Sequence, residues 1–318
     1  MAEQKRSDIN LNQMVATIAA TMRLPFLVLT PACLLLSFAL VYQKTGFLQW
    51  SLVSMITVGA ICAHIAVNML NEYSDFHSGL DFKTKKTPFS GGSGALVVHP
   101  HTDKMVLFVA LFNLFICCAL GLSMAHMVGK ELLIIGLIGV LIIITYTKWI
   151  NRLPFLCLFS PGLAFGVLLV NGSYFVLTQS FEFDIFLVSL LPFFLVNNLL
   201  LLNQFPDVEA DSAHGRKHLL IKYGFKFAAQ VYFAFAILSL VTLIWLVAIG
   251  ILPLVSTIGL LPILAAIAVG IKLIKSTTNS SILIDSAELL SLMGKNVAIS
   301  IFTPVLIALS VTAFTMLM

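Results

Sequence analysis

Charge is what this chain has least of. Lysine, arginine, aspartate and glutamate together make 10% of its 318 residues, against 59% hydrophobic, and the mean hydropathy is +1.03. That balance excludes a soluble globular domain and a disordered chain, because neither tolerates so much apolar surface in water. Cysteine is sparse too: the five cysteines, Cys33, Cys62, Cys117, Cys118 and Cys157, form no C-x-x-C pair. A zinc site or a disulfide framework is therefore not expected, and all five read as small apolar residues. No small-residue cleavage site follows the first apolar run, so no removable signal is expected. There is no tandem repeat, and nothing suggests a nucleic-acid partner.

What is present is a series of apolar runs. Nine candidate spans fall at about 24–43, 50–71, 105–127, 131–147, 155–178, 184–204, 227–249, 251–271 and 297–317. Each comes near the roughly 20 residues that cross a hydrocarbon core, the fourth being short. The expected fold is all-α, a polytopic transmembrane bundle forming a single domain over residues 1–318. With the N-terminus in the cytoplasm, 16 of the 18 lysines and arginines, Lys5 and Arg6 among them, fall on the cytoplasmic side. Only Lys44 and Lys130 do not, a strongly one-sided positive-inside pattern. Before the first span, Leu11, Val15, Ile18 and Met22 recur at helical spacing, which predicts an interfacial helix within residues 1–22.

The few acidic residues are grouped. Asn68, Asn71, Glu72, Asp75 and Asp81 cluster at the end of the second span, and Asn203, Asp207, Glu209 and Asp211 at the end of the sixth. Carboxylates at a membrane boundary are costly to desolvate and mark function. Asn71-x3-Asp75 and Asn203-x3-Asp207 share one spacing, which suggests two related halves, each bearing one motif. Pro206 disfavours helix at Phe205 and predicts a break there. Pro161-Gly162 and Gly166 predict a kink in the fifth span. Between the second and third spans lies Thr87-Pro-Phe-Ser-Gly-Gly-Ser-Gly94, a glycine-rich stretch of a candidate lid over 82–100 whose backbone N–H groups could approach an anion. His99 and His101 have too few companions for a metal site, and Asp285 and Glu288 read as solvated charges.

Side chains at i and i+4 share a helix face, so two such pairs make a cup of oxygen ligands. Asp75, Asp81, Asp207 and Asp211 would repel one another or protonate unless a divalent cation sat among them. Mg²⁺ takes one or two carboxylates and fills its shell with water and phosphate oxygens. Arg23, Lys85, Lys86, Lys148, Arg152, Arg216 and Lys217 are the cations available to neutralise a polyanion held there. A polyanion above an apolar tunnel suggests a lipid diphosphate.

Asn68-x2-Asn-Glu-Tyr-x-Asp75-x3-Gly79-x-Asp81 and Asn203-x3-Asp207-x3-Asp211 resemble the two Asp-rich signatures of the UbiA superfamily of intramembrane aromatic prenyltransferases. The run 87–94 and Asn203-x2-Pro-Asp-x2-Ala-Asp211 look most like the branch that prenylates 1,4-dihydroxy-2-naphthoate in menaquinone synthesis. The resemblance implies two Mg²⁺ ions, one on Asn71, Asp75 and Asp81 and one on Asn203, Asp207 and Asp211. It implies a polyprenyl diphosphate donor contacted by Arg23 and an aromatic acceptor, and the positive-inside pattern puts both acidic clusters on the cytoplasmic side, expected to be that of a bacterial inner membrane. Tyr146 and Lys148 resemble a Tyr/Lys feature after the fourth span. Glu72 stands where many members have Asp, and it ranks below the four aspartates as a ligand. His64, Asn68, Tyr146, Asn197 and Asn198 are the polar candidates for the acceptor pocket. The alternatives are 4-hydroxybenzoate or another phenol as acceptor, and a cation-coupled transporter. Against the transporter, the charges gather at one face and the middle is apolar. A phosphatidyltransferase would need an Asp-Gly-x2-Ala-Arg signature that the chain lacks.

Overall fold

In hydrocarbon no water serves the backbone, so each apolar run must satisfy its own N–H and C=O groups, and helix is the local answer. The computed structural model describes residues 11–278 and 287–318, and among them there is no strand. Lys5, Arg6 and Asp285 lie outside the described residues.

The chain opens with α1 (Leu11–Thr21), α2 (Leu29–Thr45), α3 (Trp50–Ser78) and the single turn α4 (Ala95–Val98). Then come α5 (Asp103–Val128), α6 (Leu132–Thr145), α7 (Pro154–Gly162) and α8 (Leu169–Thr178). The last five are α9 (Phe183–Asn203), α10 (Val208–Ala213), α11 (Leu219–Ala248), α12 (Leu260–Thr278) and α13 (Ala287–Leu317). Among the described residues, eight helical stretches are long and apolar enough to cross a membrane, and α6 is a shorter apolar one. Together they make the nine expected segments of an integral membrane protein.

Two boundaries differ from expectation in ways that matter. α3 runs to Ser78, seven residues past the expected end of the span at 71, so Asn71 and Asp75 stand one helical turn apart as expected, on its last two turns with Glu72. α11 begins at Leu219 and is interrupted at Gly224 (φ 80°), just before the expected start at 227. Both extensions are polar enough to escape a hydropathy window yet remain helical through backbone hydrogen bonding.

The expected kink in the fifth span is a π-helical turn, Leu163–Leu168, joining α7 to α8. Gly162 and Gly166 press against α9 there. A Cβ on Gly162 would meet the Phe193 carbonyl oxygen at 2.2 Å, and one on Gly166 the Phe193 nitrogen at 2.5 Å. The expected break after the sixth span also occurs: α9 ends at Asn203, and α10 begins after Asp207. α2 packs on α13 and α8, α3 on α5, and α11 on α12 and α9. The main core, including Leu36, Leu191, Leu195 and Ile307, fills the centre of that arrangement. Phe108, Phe115 and Leu137 stay exposed on α5 and α6, the outward faces of helices in lipid.

α1 is helical where the spacing predicts a helix. Ile18 and Met22 pack beside Met69 and Leu96, while Leu11 and Val15 are exposed.

Candidate active site

The two acidic motifs meet. Arg216, at the end of the turn after α10, donates through Nη1 to Asp211 Oδ1 (2.9 Å) and through Nη2 to Asp75 Oδ1. Asp211 also faces His218 Nε2 at 3.1 Å. Asn71 Nδ2 donates to Asp75 Oδ2 (3.1 Å), one helical turn on, and Thr147 Oγ1 donates to Asn71 Oδ1 (3.1 Å). The turn after α6 is thereby tied to the first motif. Lys217 N–H donates to the Asn151 carbonyl (3.0 Å), which ties the same turn to the second.

The glycine-rich stretch straps the motifs together from above. Glu72, 1% exposed, accepts from Ser93 N–H at 2.8 Å (Oε1) and from Ser93 Oγ at 2.6 Å (Oε2). Its Oε1 also receives Arg23 Nε at 2.7 Å. At the other end of the strap, Gly91 N–H donates to Asp207 Oδ2 at 3.2 Å. Gly91 and Gly92 take φ of 79° and 72°, a region that side chains avoid. A Cβ on Gly92 would lie 3.0 Å from Asp81 Oδ1, so the backbone approaches that carboxylate as only glycine allows.

Burial and like charge shape the carboxyls outside the spans. Burial, then the neighbouring Glu72 and Asp75, push the Asp81 carboxyl up to about 7. Burial, then Asp211, push Asp207 up to about 7. For Arg216, burial opposes the charge, but Asp75 and Asp211 outweigh it and hold the guanidinium protonated. Burial lifts the Tyr146 hydroxyl well above the usual phenol range.

These residues suit a hard divalent cation. The donors are oxygens, and Asp81 Oδ2 and Asn203 Oδ1 are buried with no hydrogen-bond partner among the described residues. They do not form a finished cage: among the described residues no three His, Cys, Asp or Glu side chains converge to hold a metal by themselves. That matches a cation completed by water and phosphate oxygens rather than by protein alone.

Below the motifs lies a cavity of about 770 Å³, with Arg23, Asn71, Asn203 and Tyr146 in its wall. Along α3 its lining runs from Asn71 back to Ile56, about 22 Å at 1.5 Å per residue. The deeper wall is apolar, with Cys117, Cys118, Leu133, Phe165 and Leu169. His64 and Asn68 line it as well.

Several expected residues sit elsewhere. Asn197 and Asn198 are fully buried between helices and do not line the cavity, which removes them from the acceptor pocket. Asn197 Oδ1 accepts the Gly162 N–H (2.6 Å) beside the π-helical turn. Asn198 Nδ2 donates to the Tyr232 carbonyl (2.9 Å), and Asn296 Nδ2 donates to the Asn198 carbonyl (3.0 Å). Arg216 directs both terminal nitrogens at carboxylates, so its first role is to bridge the motifs rather than to await an anion. Lys85, Lys86, Lys148, Arg152 and Lys217 are exposed around the site. Sequence reasoning overlooked His218, Ser93 and Thr147, whose roles rest on contacts across 7, 21 and 76 positions.

The UbiA prenyltransferase family model matches residues 28–284. A 1,4-dihydroxy-2-naphthoate octaprenyltransferase of Bacillus subtilis (strain 168) is 35% identical over 170 residues, covering 52% of this chain and 53% of the relative. A 2-carboxy-1,4-naphthoquinone phytyltransferase of Synechocystis sp. is 24% identical over 222 residues, covering 67% of each. The chain thus spans about half the length of the first relative and two thirds of the second. A solved UbiA homolog from Archaeoglobus fulgidus, bound to DMAPP and Mg²⁺, superposes with a TM-score of 0.61 at 14% identity, over 92% of this chain and 98% of that one. At that identity the likeness speaks for the fold alone. Two Asp-rich motifs on paired helix ends above one apolar cavity, in a bundle of that fold, agree with the sequence match: the chain belongs to the UbiA prenyltransferase family.

Proposed function

We propose that this protein transfers a polyprenyl group from its diphosphate to an aromatic acceptor, 1,4-dihydroxy-2-naphthoate in menaquinone synthesis. The observation that carries this reading is the meeting of Asp75 and Asp211 on Arg216 above an apolar cavity of about 770 Å³. Two of the relatives' names, a dihydroxynaphthoate octaprenyltransferase and a carboxynaphthoquinone phytyltransferase, support the naphthoate acceptor. The Archaeoglobus homolog's bound DMAPP and Mg²⁺ support a prenyl diphosphate donor and Mg²⁺.

In this reading Asn71, Asp75 and Asp81 hold one Mg²⁺, and Asn203, Asp207 and Asp211 a second. Bound Mg²⁺ supplies Lewis-acid stabilisation to a diphosphate leaving group. The chain's own groups do the rest. Arg23, at the cavity mouth, contacts the diphosphate, with Lys85, Lys86, Lys148, Arg152 and Lys217 drawing it in. The deeper apolar wall with Cys117, Cys118, Leu133 and Leu169 takes the isoprenoid tail. The strap 91–93 excludes water while the allylic C–O bond breaks. The acceptor ring carbon forms the new C–C bond and loses its substituent, carbon dioxide for the naphthoate or a proton for a phenol. The site faces the cytoplasm of a bacterial inner membrane, supported by the positive-inside pattern, and the two motifs descend from two related halves.

The test is prenyl transfer in purified membranes, with a radiolabelled all-trans polyprenyl diphosphate and either 1,4-dihydroxy-2-naphthoate or 4-hydroxybenzoate, with Mg²⁺ or chelator. Mg²⁺-dependent product from the naphthoate alone is expected. Product from the benzoate alone reassigns the acceptor, and no transfer to either overturns the reading.

A further inference from the structure

Below the motifs the cavity wall is mostly apolar, with Thr30, His64, Ser160 and Ser173 as polar residues in it. His64 lies on α3, 8% exposed, and lines the cavity. Its Nδ1 is 2.8 Å from Thr30 Oγ1 on α2, and its ring stands edge-on to Phe165 at 4.8 Å between centroids. Two neighbours thus fix the ring. Its Nε2 has no protein hydrogen-bond partner among the described residues.

An imidazole nitrogen that faces a cavity without a protein partner loses its access to water when a ligand fills that cavity, which costs affinity unless the ligand replaces the hydrogen bond. An isoprenoid tail cannot repay that cost, because it has neither donor nor acceptor. A ligand oxygen can. At 1.5 Å per residue, His64 lies about 6 Å below Asn68 and about 10 Å below Asn71 along α3. Diphosphate held at Asn71 and Arg23 leaves the reacting carbon at the level of the Asn68 turn. One or two fused aromatic rings, with the nucleophilic carbon at that level, carry a ring substituent down to His64. Asn68 lines the cavity one helical turn nearer the motifs, where its Nδ2 gives one of its two N–H groups to the Met22 carbonyl at 3.0 Å.

We infer that His64 and Thr30 form the polar seat of the aromatic acceptor, a hydroxylated or carboxylated ring whose oxygen bonds His64 Nε2. Thr30 donates its hydroxyl proton to Nδ1, which leaves the imidazole proton on Nε2, pointing at the acceptor oxygen. His64 is thereby a positioning and specificity residue: it selects a ring with an oxygen at that depth and rejects an unsubstituted one, whose binding would leave Nε2 unpaired. The inference rests on the prenyl-transfer reading and names the part of the site that recognises its second substrate.

The test uses the full-length protein in detergent with whichever of the two acceptors the wild type prenylates, and measures KM for acceptor and donor separately. His64→Leu is expected to raise the acceptor KM about tenfold or more, the effect of losing a hydrogen bond to a charged oxygen, with the donor KM unchanged. His64→Gln, which keeps a donor near Nε2, recovers most of that loss. Thr30→Val, a substitution of matched shape that carries the test should His64→Leu fail to fold, raises the acceptor KM about threefold or more. An unchanged acceptor KM in His64→Leu or Thr30→Val, or a donor KM that rises in step, overturns the inference while the wild type still transfers prenyl groups. A wild type that transfers to neither acceptor overturns the prenyl-transfer reading itself, and this inference with it.

Discussion

Arg23 Nε lies 2.7 Å from Glu72 Oε1, and the arginine reaches that contact from a left-handed backbone (φ 54°, ψ 51°). Such a conformation costs a non-glycine residue about 1–2 kcal/mol. It ends α1, starts the chain's entry into the bundle, and aims the guanidinium at the cavity mouth. Arg23→Gly is therefore expected to be more stable than Arg23→Ala by about 1 kcal/mol. Both variants lose the guanidinium, and both are expected to raise the donor KM. Thermal unfolding and donor titration separate the two effects, and an unchanged donor KM would leave Arg23 as an anchor only.

Glu72 joins that arginine to the strap. An aspartate, one methylene shorter, cannot reach Arg23 and Ser93 together, so Glu72→Asp should free the strap while leaving α3 intact. Amide hydrogen exchange at Ser93 is expected to speed up about tenfold or more, the loss of roughly 1.5 kcal/mol of protection. Unchanged exchange there would show that something else holds the strap.

Asp75→Asn and Asp207→Asn should abolish prenyl transfer with far less effect on folding. Each keeps the shape of the side chain and removes a charge on which the cation depends, and Asp75→Asn also removes a carboxylate that Arg216 pairs with. The comparison is turnover against thermal unfolding for the two variants, and full activity in either would remove that residue from the metal assignment.

Asp81 and Asp207 predict how cation binding responds to pH. Both carboxyls are raised from 3.8 to about 7 in the folded protein, so without a cation the folded state holds protons that the unfolded chain has lost. Stability of the cation-free protein is then expected to fall as pH rises from about 4 to about 7. Cation binding displaces the same protons, so Mg²⁺ affinity should rise through about pH 7 and level off above it. Calorimetric titration in buffers of different ionisation enthalpy measures the protons released, and zero release at about pH 6 would contradict this account.

Asn197 is expected to matter for folding and not for substrate. Asn197→Ala strands the buried Gly162 N–H and should cost about 1–3 kcal/mol, with the acceptor KM unchanged. Gly162→Ala should cost about as much by overpacking, since its Cβ meets the Phe193 carbonyl oxygen at 2.2 Å. A shifted acceptor KM in Asn197→Ala would return that residue to the acceptor site.

The bundle was legible in the sequence because lipid imposes one rule on every span: apolar for about 20 residues, and helical. The acidic motifs were legible for a related reason, since so few charges in so apolar a chain stand out at its boundaries. The helix break at Pro206 and the kink at Pro161-Gly162 followed from proline's missing N–H and glycine's missing side chain. Only the tertiary structure decided what each polar side chain touches. Asn197 and Asn203 lie six positions apart on α9, yet one caps a glycine N–H and the other, in the cavity wall, keeps a buried oxygen without a partner among the described residues. Glu72 and Asp75 share a helix end, yet one anchors the strap and the other pairs with Arg216 from 141 positions away. Burial, hydropathy and helical period depend on near neighbours along the chain, so the sequence carries them. Hydrogen-bond partners in a bundle come from other helices, and their identity is set by how those helices pack.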